Sequence, residues 1–269
     1  MNFSSQDLPE LLQPYVKHLF HYENFQPDHN IERVIPTGEV FLIFELDGIT
    51  RHTYDNKTLE VNSTFNKVWI SGTQKSFITI SAHEDSEMLV VQFEAGGALP
   101  FIHTSLNEFH NEIIPAEQIL GEEILELHAD MMKGKNGYVK MDIAESWLVE
   151  RYKPELNPPK YLLEIFERLR DTPEREMNEL LESYPHTQKH LIAQFKKYLG
   201  LTPKAYHRIL RFNRLLQSLQ NQQNINWTEV AHEFGYSDQS HFIKEFQTFS
   251  GFNPSEFINN DYQNDEPNF

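Results

Sequence analysis

The strongest chemical signal in the sequence is a segment that carries positive charge and no carboxylate. The chain has 269 residues and a formal net charge of −17, from 40 acidic residues and 23 Lys and Arg residues. Residues 183–228 nevertheless contain no Asp or Glu. Their basic residues are Lys189, Lys196, Lys197, Lys204, Arg208, Arg211 and Arg214. A locally positive surface attracts anions, so we expect this segment to bind a polyanion, although the net charge alone argues against one.

Patterns that support catalysis or metal binding are missing from the sequence. It has no cysteine, which excludes disulfides, zinc–thiolate sites and cysteine nucleophiles. None of the 13 His stands in a His-x-His or His-Glu-x-x-His pattern, and no Gly-x-Ser-x-Gly occurs. The spacing of His18 and His21, beside Leu19 and Phe20, favours one face of a helix. We therefore expect no catalytic residue, no metal site and no cofactor.

The first half of the chain has the pattern of strands followed by helices. Between residues 31 and 94, short apolar runs such as Val40–Leu46 and Met88–Phe93 recur about every ten residues, separated by turn residues. The apolar residues then adopt a helical period over 117–152. This order favours a small antiparallel β-barrel with flanking helices, in a domain that spans 1–156.

The second half of the chain contains an internal duplication. Thr187–Pro203 and Ser237–Pro254 each begin with a hydroxyl residue suited to cap a helix and carry apolar residues at matching positions. Each ends in a Gly that is followed three residues later by Pro. A shorter helix is predicted before each unit, over Met177–Tyr184 and Trp227–Phe234. Each pair then forms a helix-turn-helix, and the two lie in tandem.

The second unit matches a known family most closely. Together with Gly200-Leu-Thr-Pro203, the stretch Phe234-Gly-Tyr-Ser-Asp-Gln-Ser-His-Phe242 makes residues 160–258 resemble the DNA-binding domain of the AraC/XylS family of bacterial transcription regulators. Residues 34–97 are similar, less specifically, to the cupin-like sensor domains of such regulators. The expected fold is therefore α+β and multidomain, with a cupin-like N-terminal barrel, an all-α tandem helix-turn-helix domain and a disordered tail over 259–269.

The resemblance implies double-stranded DNA as the partner and assigns contacts to the longer helix of each pair, the recognition helix. In the first helix these are Lys189, Ile192, Ala193, Lys196 and Lys197, and in the second Gln239, Ser240, Ile243 and Lys244. Gln and Lys can recognise adenine and guanine, whereas Ile192 and Ile243 can instead pack against the partner helix. Among these contacts, Lys196 and Lys197 suit the phosphate backbone, as do Arg208 and Arg214. Backbone N–H groups at the helix N-termini near Thr187 and Ser237 are expected to contact phosphate as well. The role of Arg211 is left open between DNA and the fold.

The N-terminal domain is expected to receive a signal. A small barrel can enclose a small-molecule effector, and the candidate lining residues are Arg33, His52, Tyr54, Trp69 and His83. Each of these residues can equally be ordinary core or surface packing. The alternative function is a cupin-type small-molecule-binding protein or enzyme whose DNA-binding domain is vestigial.

The remaining expectations concern partners and location. The predicted helices over 117–152 carry apolar stripes that can join two copies as a homodimer or can simply cover the barrel. If the protein is an activator, RNA polymerase is a further partner. The sequence shows no signal peptide and no run of about 18 apolar residues, so we expect a cytoplasmic protein that does not bind membranes.

Overall fold

The structure, a computed structural model, describes residues 1–175, 177, 179, 184–219 and 225–259. The N-terminal domain carries the strands. Their bounds are β1 (Asn2–Ser5), β2 (Val16–Phe25), β3 (Ile31–Val34), β4 (Phe41–Glu45), β5 (Arg51–Tyr54), β6 (Val61–Phe65), β7 (Val68–Ser71), β8 (Ile78–Ser81), β9 (Ser86–Phe93) and β10 (Ile113–Pro115).

The strands form two antiparallel sheets. One has six strands in the order β1-β2-β9-β4-β7-β10, and the other has four in the order β3-β8-β5-β6. In the six-stranded sheet, Ile43 lies opposite Val90 on one side and Trp69 on the other. Among the described residues no strand pairing joins the two sheets, so they stay open and do not close into the predicted barrel. Closure requires hydrogen bonds between the edge strands, and a sequence does not show which strands become edges.

The six-stranded sheet is buried on both faces. Leu19, Leu42 and Val91 belong to a core that lies against helices, whereas the alternate residues Ile43 and Val90 belong to a cluster with Trp69. Side chains of neighbouring strand residues point to opposite faces, which explains why Phe41–Phe44 of β4 and Met88–Val91 of β9 are continuous apolar runs. The apolar runs in the sequence follow from this double burial.

The helices of the N-terminal domain cover one face of this sheet. They are α1 (Leu99–Ile102), α2 (Glu117–Leu120), α3 (Glu123–Met132) and α4 (Gly137–Arg151). Ile124 and Met131 of α3 and Met141, Ala144 and Leu148 of α4 lie in the same core as the sheet. The apolar stripes predicted over 117–152 therefore cover the sheet.

Strand β2 corrects the interpretation of His18 and His21. These residues lie in a strand and not on a helix, and the His21 side chain is buried while His18 is exposed. A spacing of three residues places two side chains on one face of a helix but on opposite faces of a strand. The antiparallel pairing of His18 with Gln92 and of His21 with Leu89 shows that both residues belong to the sheet.

The C-terminal domain is helical. Its described helices are α5 (Lys160–Asp171), α6 (Gln188–Leu199), α7 (Pro203–Leu219), α8 (Trp227–Glu233), α9 (Gln239–Ser250) and α10 (Pro254–Asn259). The short helix predicted over Met177–Tyr184 lies mostly outside the described residues, as does the tail over 259–269 apart from its first residue. Within the part that the structure describes, no helix is long and apolar enough to cross a membrane.

The two domains pack directly against each other. A methyl group added at Gly38 of the N-terminal domain would lie 2.8 Å from the ring of Tyr206 on α7, so the backbone approaches that ring closely. The Asn213 amide donates a hydrogen bond to the carbonyl of Pro36 (2.9 Å). Tyr206 is almost fully buried, so this contact belongs to the core of the C-terminal domain as well as to the interface.

Candidate nucleic-acid interface

The first recognition helix, α6, begins and ends as its sequence predicts. Thr187 caps it, with its hydroxyl oxygen accepting a hydrogen bond from the His190 backbone N–H (3.2 Å). Gly200 ends it at φ +73°, a left-handed conformation that glycine adopts without strain. The Thr187 hydroxyl oxygen is occupied by this cap. The predicted phosphate contact at this position therefore requires the hydroxyl to donate to phosphate while it caps the helix, or a backbone N–H to donate instead.

The second recognition helix, α9, ends as predicted but begins one residue later. Asp238, and not Ser237, is its cap, and the Asp238 carboxylate accepts from the His241 backbone N–H (2.8 Å). The Ser237 hydroxyl donates to the other oxygen of Asp238 (3.1 Å). Gly251 ends the helix at φ +78°. A carboxylate at this cap is stabilised by the positive end of the helix dipole, and backbone hydrogen bonds lower the pKa of Asp238.

The helix and turn before α9 complete one helix-turn-helix. The side chain of Asn226 accepts from the Thr228 N–H (3.2 Å) and so caps α8. The chain turns at Gly235, where φ is +69°. Tyr236 is buried after this turn and packs on Phe242 of α9 with ring centroids 5.2 Å apart. We call α8 and α9 the second module, and α6 with the segment before it the first module.

Each recognition helix buries one face and exposes the other. Leu191 and Phe195 are buried in α6, and Phe242 and Phe246 take the same positions in α9. The exposed predicted DNA contacts are Lys189, Ala193, Lys196, Lys197, Gln239, Ser240 and Lys244. Ile192 and Ile243 are half-buried.

The packing of Ile243 gives it a structural role, because it lies against the core of the C-terminal domain. Among the described residues, Ile192 does not belong to that core.

A buried carboxylate links the second recognition helix to α7. Glu245 of α9 accepts from Arg208 Nε (2.6 Å), Arg211 Nη2 (2.9 Å) and the Tyr236 hydroxyl (3.0 Å). Burial raises the pKa of Glu245, but hydrogen bonds and charge from Arg211 and Arg208 outweigh it and hold the pKa below its ordinary value. Sequence reasoning did not single out Glu245 as a functional residue.

These contacts decide the role of Arg211 and limit that of Arg208. The Arg211 guanidinium lies 4.2 Å from the centre of the Tyr236 ring and is mostly buried, so Arg211 holds the fold together. Arg208 is more exposed, and its Nε is engaged by Glu245. Arg214, further along α7, is exposed.

Comparison with known protein families agrees with this geometry. Residues 185–260 match the model of a helix-turn-helix domain. The second part of the chain is thus similar to an AraC-type helix-turn-helix domain. Residues 9–115 match a domain of unknown function, DUF6597. No curated protein matches the chain.

Several solved structures are similar to the chain at low identity. A structure of ToxT from Vibrio cholerae is 10% identical with a TM-score of 0.43, and the alignment covers 96% of this chain and 98% of that chain. ToxT of strain SCE256 with bound unsaturated fatty acid is 12% identical with a TM-score of 0.40, covering 89% and 93%. The xylose-binding transcription activator XylR is 15% identical with a TM-score of 0.32, covering 54% and 39%. Each TM-score is below 0.5, so these likenesses assign no function to the chain.

The five candidate effector residues do not converge on one site. Arg33 lies on β3 and donates to the carbonyl of Gly251 (3.1 Å), so it faces the C-terminal domain. His52 and Tyr54 are half-buried on β5, with their rings 6.2 Å apart. His83 bonds the Ser81 hydroxyl (3.0 Å), and burial lowers its pKa. Only Trp69 belongs to the aromatic cluster at the inner face of the six-stranded sheet.

Beside Trp69 lies a buried ion pair that sequence reasoning missed. The Trp69 indole N–H donates to Glu45 Oε1 (2.7 Å), and Arg51 Nε lies 3.3 Å from Glu45 Oε2. Arg51 Nη2 donates to Asp47 (2.5 Å), while Nη1 is buried without a hydrogen-bond partner among the described residues. Burial raises the pKa of Glu45 to about 7, although Arg51 acts against it. No local pattern distinguishes these residues, because the fold brings them together from separate strands and turns.

One group in the described part of the chain has the donors for a metal ion. It consists of His21, Glu23 and Glu87, whose nearest ligand atoms lie within 4.8 Å of one another. Glu87 already accepts from His21 Nε2 (2.7 Å) and from the Lys140 ammonium group, which is mostly buried. A metal ion would have to displace that ammonium group, so the cluster is satisfied as an ion pair.

Proposed function

We propose that the chain is a sequence-specific DNA-binding transcription regulator whose two recognition helices enter successive major grooves of one duplex. The observation that carries the proposal is the equivalence of α6 and α9. Each has 12 residues, is capped by an oxygen of the preceding residue, ends at a left-handed glycine and turns a polar face outwards. Both lie in an AraC-type domain, and the first lies in the segment without carboxylates.

The helix that joins the modules has a suitable length. Helix α7 has 17 residues, which corresponds to about 25 Å at the α-helical rise. Successive major grooves on one face of DNA lie about 34 Å apart. Because α6 and α9 lie on either side of α7, a helix of this length can separate the two recognition helices by roughly one turn of DNA.

We assign sequence recognition mainly to the second module. Gln239 and Lys244 are exposed in the first two turns of α9, where Gln can bind adenine through two hydrogen bonds and Lys can bind guanine. The equivalent of Lys244 in the first module is Ala193, which offers only a methyl contact to thymine. Lys196 and Lys197 supply phosphate contacts, which position the domain on DNA without specifying sequence.

A salt titration of DNA binding tests this function. The affinity of the full chain for fragmented bacterial genomic DNA should fall linearly on a log–log plot, with a slope of about −0.9 for each phosphate contact. Lys196→Ala should make the slope shallower by about 0.9, the amount for one phosphate contact. Lys57→Ala removes the same charge from the N-terminal domain and should leave the slope unchanged. A chain that does not bind DNA at low salt would contradict the proposal. The competing function, a small-molecule-binding protein with a vestigial DNA-binding domain, is motivated by the apolar Ile192 and Ala193 and predicts that result.

We further propose that the N-terminal domain binds a small polar effector at the inner face of the six-stranded sheet. Arg51 Nη1 and Glu45 Oε2, which have no hydrogen-bond partner among the described residues, supply a donor and an acceptor, and Trp69 supplies an aromatic surface. Small carboxylic acids and amines should raise the melting temperature of the chain in a thermal-shift panel. Trp69→Phe should reduce that response, and an unchanged response in this variant would contradict the assignment.

We also propose that the protein forms a homodimer through α3 and α4. Exposed apolar residues on the outer side of α3 and α4 suit a homodimer; they are Met132, Tyr138, Val139 and Val149. Sedimentation at micromolar concentration should show about twice the 31.7 kDa chain mass. A species of the chain mass alone would contradict the dimer. If the protein activates transcription, RNA polymerase is the partner that the bound dimer recruits.

A further inference from the structure

One loop of the N-terminal domain contacts the C-terminal ends of both recognition helices. This loop, residues 72–77, follows β7. The Thr73 hydroxyl donates a hydrogen bond to the carbonyl of Leu199, the last residue of α6 (2.5 Å), and Thr73 is almost fully buried. At the other end of the loop, the Phe77 ring lies against Gly251, which follows the last residue of α9.

The two contact points are equivalent positions in the two modules. A methyl group built on Gly200 would lie 2.9 Å from Thr73 Oγ1 and 2.8 Å from the Leu106 carbonyl oxygen. One built on Gly251 would lie 2.8 Å from Phe77 Cζ. Both glycines therefore serve two purposes. Each ends its helix in a left-handed conformation, and each leaves room for the N-terminal domain to approach the helix end.

Arg33 strengthens the contact at the second module. Its Nη1 donates to the Gly251 carbonyl (3.1 Å), where the negative end of the α9 dipole favours a cation. Its guanidinium lies 4.1 Å from the centre of the Phe252 ring and 5.3 Å from that of Phe77. The guanidinium thus lies between an aromatic ring of each domain.

The 72–77 loop is braced within its own domain. The buried Gln74 side chain donates to the carbonyls of Gly72 (2.9 Å) and Glu112 (3.1 Å). The Lys75 backbone N–H donates to the Asn111 side chain (3.0 Å). A loop held in this way keeps its two contact points at a fixed separation, so movement of one recognition helix relative to the other requires breaking a contact.

We propose that the 72–77 loop sets the relative placement of α6 and α9, and that Thr73, Phe77 and Arg33 thereby determine which spacing between two DNA blocks the protein accepts. These are positioning residues, since they act through the recognition helices. The part that concerns DNA rests on the function proposed above. Outside the loop, the N-terminal domain contacts the two helix ends separately, Gly200 through Leu106 and Gly251 through Arg33, whereas the 72–77 loop is one element that contacts both.

A distance measurement tests the clamp without DNA. Because the chain has no cysteine, Lys196→Cys and Gln247→Cys place spin labels at equivalent exposed positions of α6 and α9. Electron–electron double resonance should give one narrow distance distribution. Adding Thr73→Val and Phe77→Ala should broaden it. The control is Thr53→Val with Phe25→Ala, which makes the same changes on β5 and β2 of the same domain, and it should leave the distribution narrow. An equal width in all three proteins would overturn the clamp.

A spacer series then tests the consequence for DNA. Two-block DNA with the spacer changed one base pair at a time should bind the parent chain best at one length. In the double variant Thr73→Val and Phe77→Ala, the ratio of affinities for the best spacer and its neighbours should fall by about threefold to tenfold. That factor corresponds to the loss of one or two contacts, each as strong as a hydrogen bond. An unchanged preference would overturn the role in spacing. If the parent chain binds no DNA, the proposed function fails, while the distance measurement still decides the clamp.

Discussion

Arg211 Nη2 lies 2.9 Å from Glu245 Oε1, and this ion pair joins α7 to the second recognition helix. The pair is shielded by the Tyr236 ring, which lies under the guanidinium. Arg211 belongs to the segment without acidic residues, yet its partner is a carboxylate from outside that segment. Of the seven basic residues in segment 183–228, Arg211 therefore stabilises the fold. A second, Arg208, pairs with Glu245 but stays partly exposed at the surface.

Replacing this carboxylate should destabilise the C-terminal domain in a pH-dependent way. Glu245→Gln leaves two guanidinium groups without a counter-charge, and we expect a loss of about 2 kcal/mol in the free energy of unfolding at about pH 7. The pKa of Glu245 is lowered in the folded state, so its stabilisation is present above the ordinary glutamate pKa and is lost as pH falls through the lowered value. Urea unfolding at about pH 7 and pH 3 measures this. An equal loss at both pH values would show that the charge is not the cause.

The Leu106 carbonyl lies so close to Gly200 that Gly200→Ala should lose more stability than backbone strain alone explains. Gly200 and Gly48 both have positive φ, +73° and +75°, but a methyl group at Gly48 meets nothing within 4 Å. Gly48→Ala should cost about 1–2 kcal/mol, the penalty of the left-handed conformation. Gly200→Ala should cost at least about 1 kcal/mol more, because its methyl group overlaps the Leu106 carbonyl. Thermal unfolding of both variants compares them, and equal losses would mean that the domains do not pack closely at this point.

The exposed lysines of the recognition helices should differ in their effect on DNA binding. Lys244→Ala should weaken the preferred DNA by about 1–3 kcal/mol and relax the sequence preference, whereas Lys197→Ala should weaken all DNA alike. The affinities of each variant for preferred and scrambled duplexes measure both effects. If both variants weaken the two duplexes equally, the assignment of base and phosphate contacts is wrong.

The buried Glu45 should make the stability of the N-terminal domain depend on pH. Burial raises its pKa from 4.5 to about 7, so the stabilisation is complete below the ordinary pKa and is lost as pH rises towards 7. The wild-type free energy of unfolding should therefore fall over this interval relative to that of Glu45→Gln, which cannot titrate there. Chemical unfolding of both proteins at a series of pH values is the measurement. Parallel curves would contradict a raised pKa.

Local signals in the sequence predicted local structure well. The glycines at 200 and 251 and the cap at Thr187 depend on residues within one turn of each other, and all three lie where predicted. The prediction of Ser237 as a cap was wrong by one residue, because Ser and Asp stand side by side and both can cap a helix.

Strand pairing and side-chain contacts between residues far apart in the sequence could not be predicted from local patterns. The pairing of strands decides whether sheets close, and no local pattern encodes it. Arg33 fits a cavity by residue type, yet β3 places it against Gly251, more than two hundred residues later. Glu45 and Arg51 meet only because β4 and β5 lie in different sheets that face each other.

Recognition of one duplex by two modules can be tested by selecting bound fragments from genomic DNA. The selection uses the full chain at about 150–200 mM salt, where non-specific binding is weak. We expect a single motif with two short blocks about ten base pairs apart, centre to centre. Recovery of a single block, or of no motif above background, would contradict it.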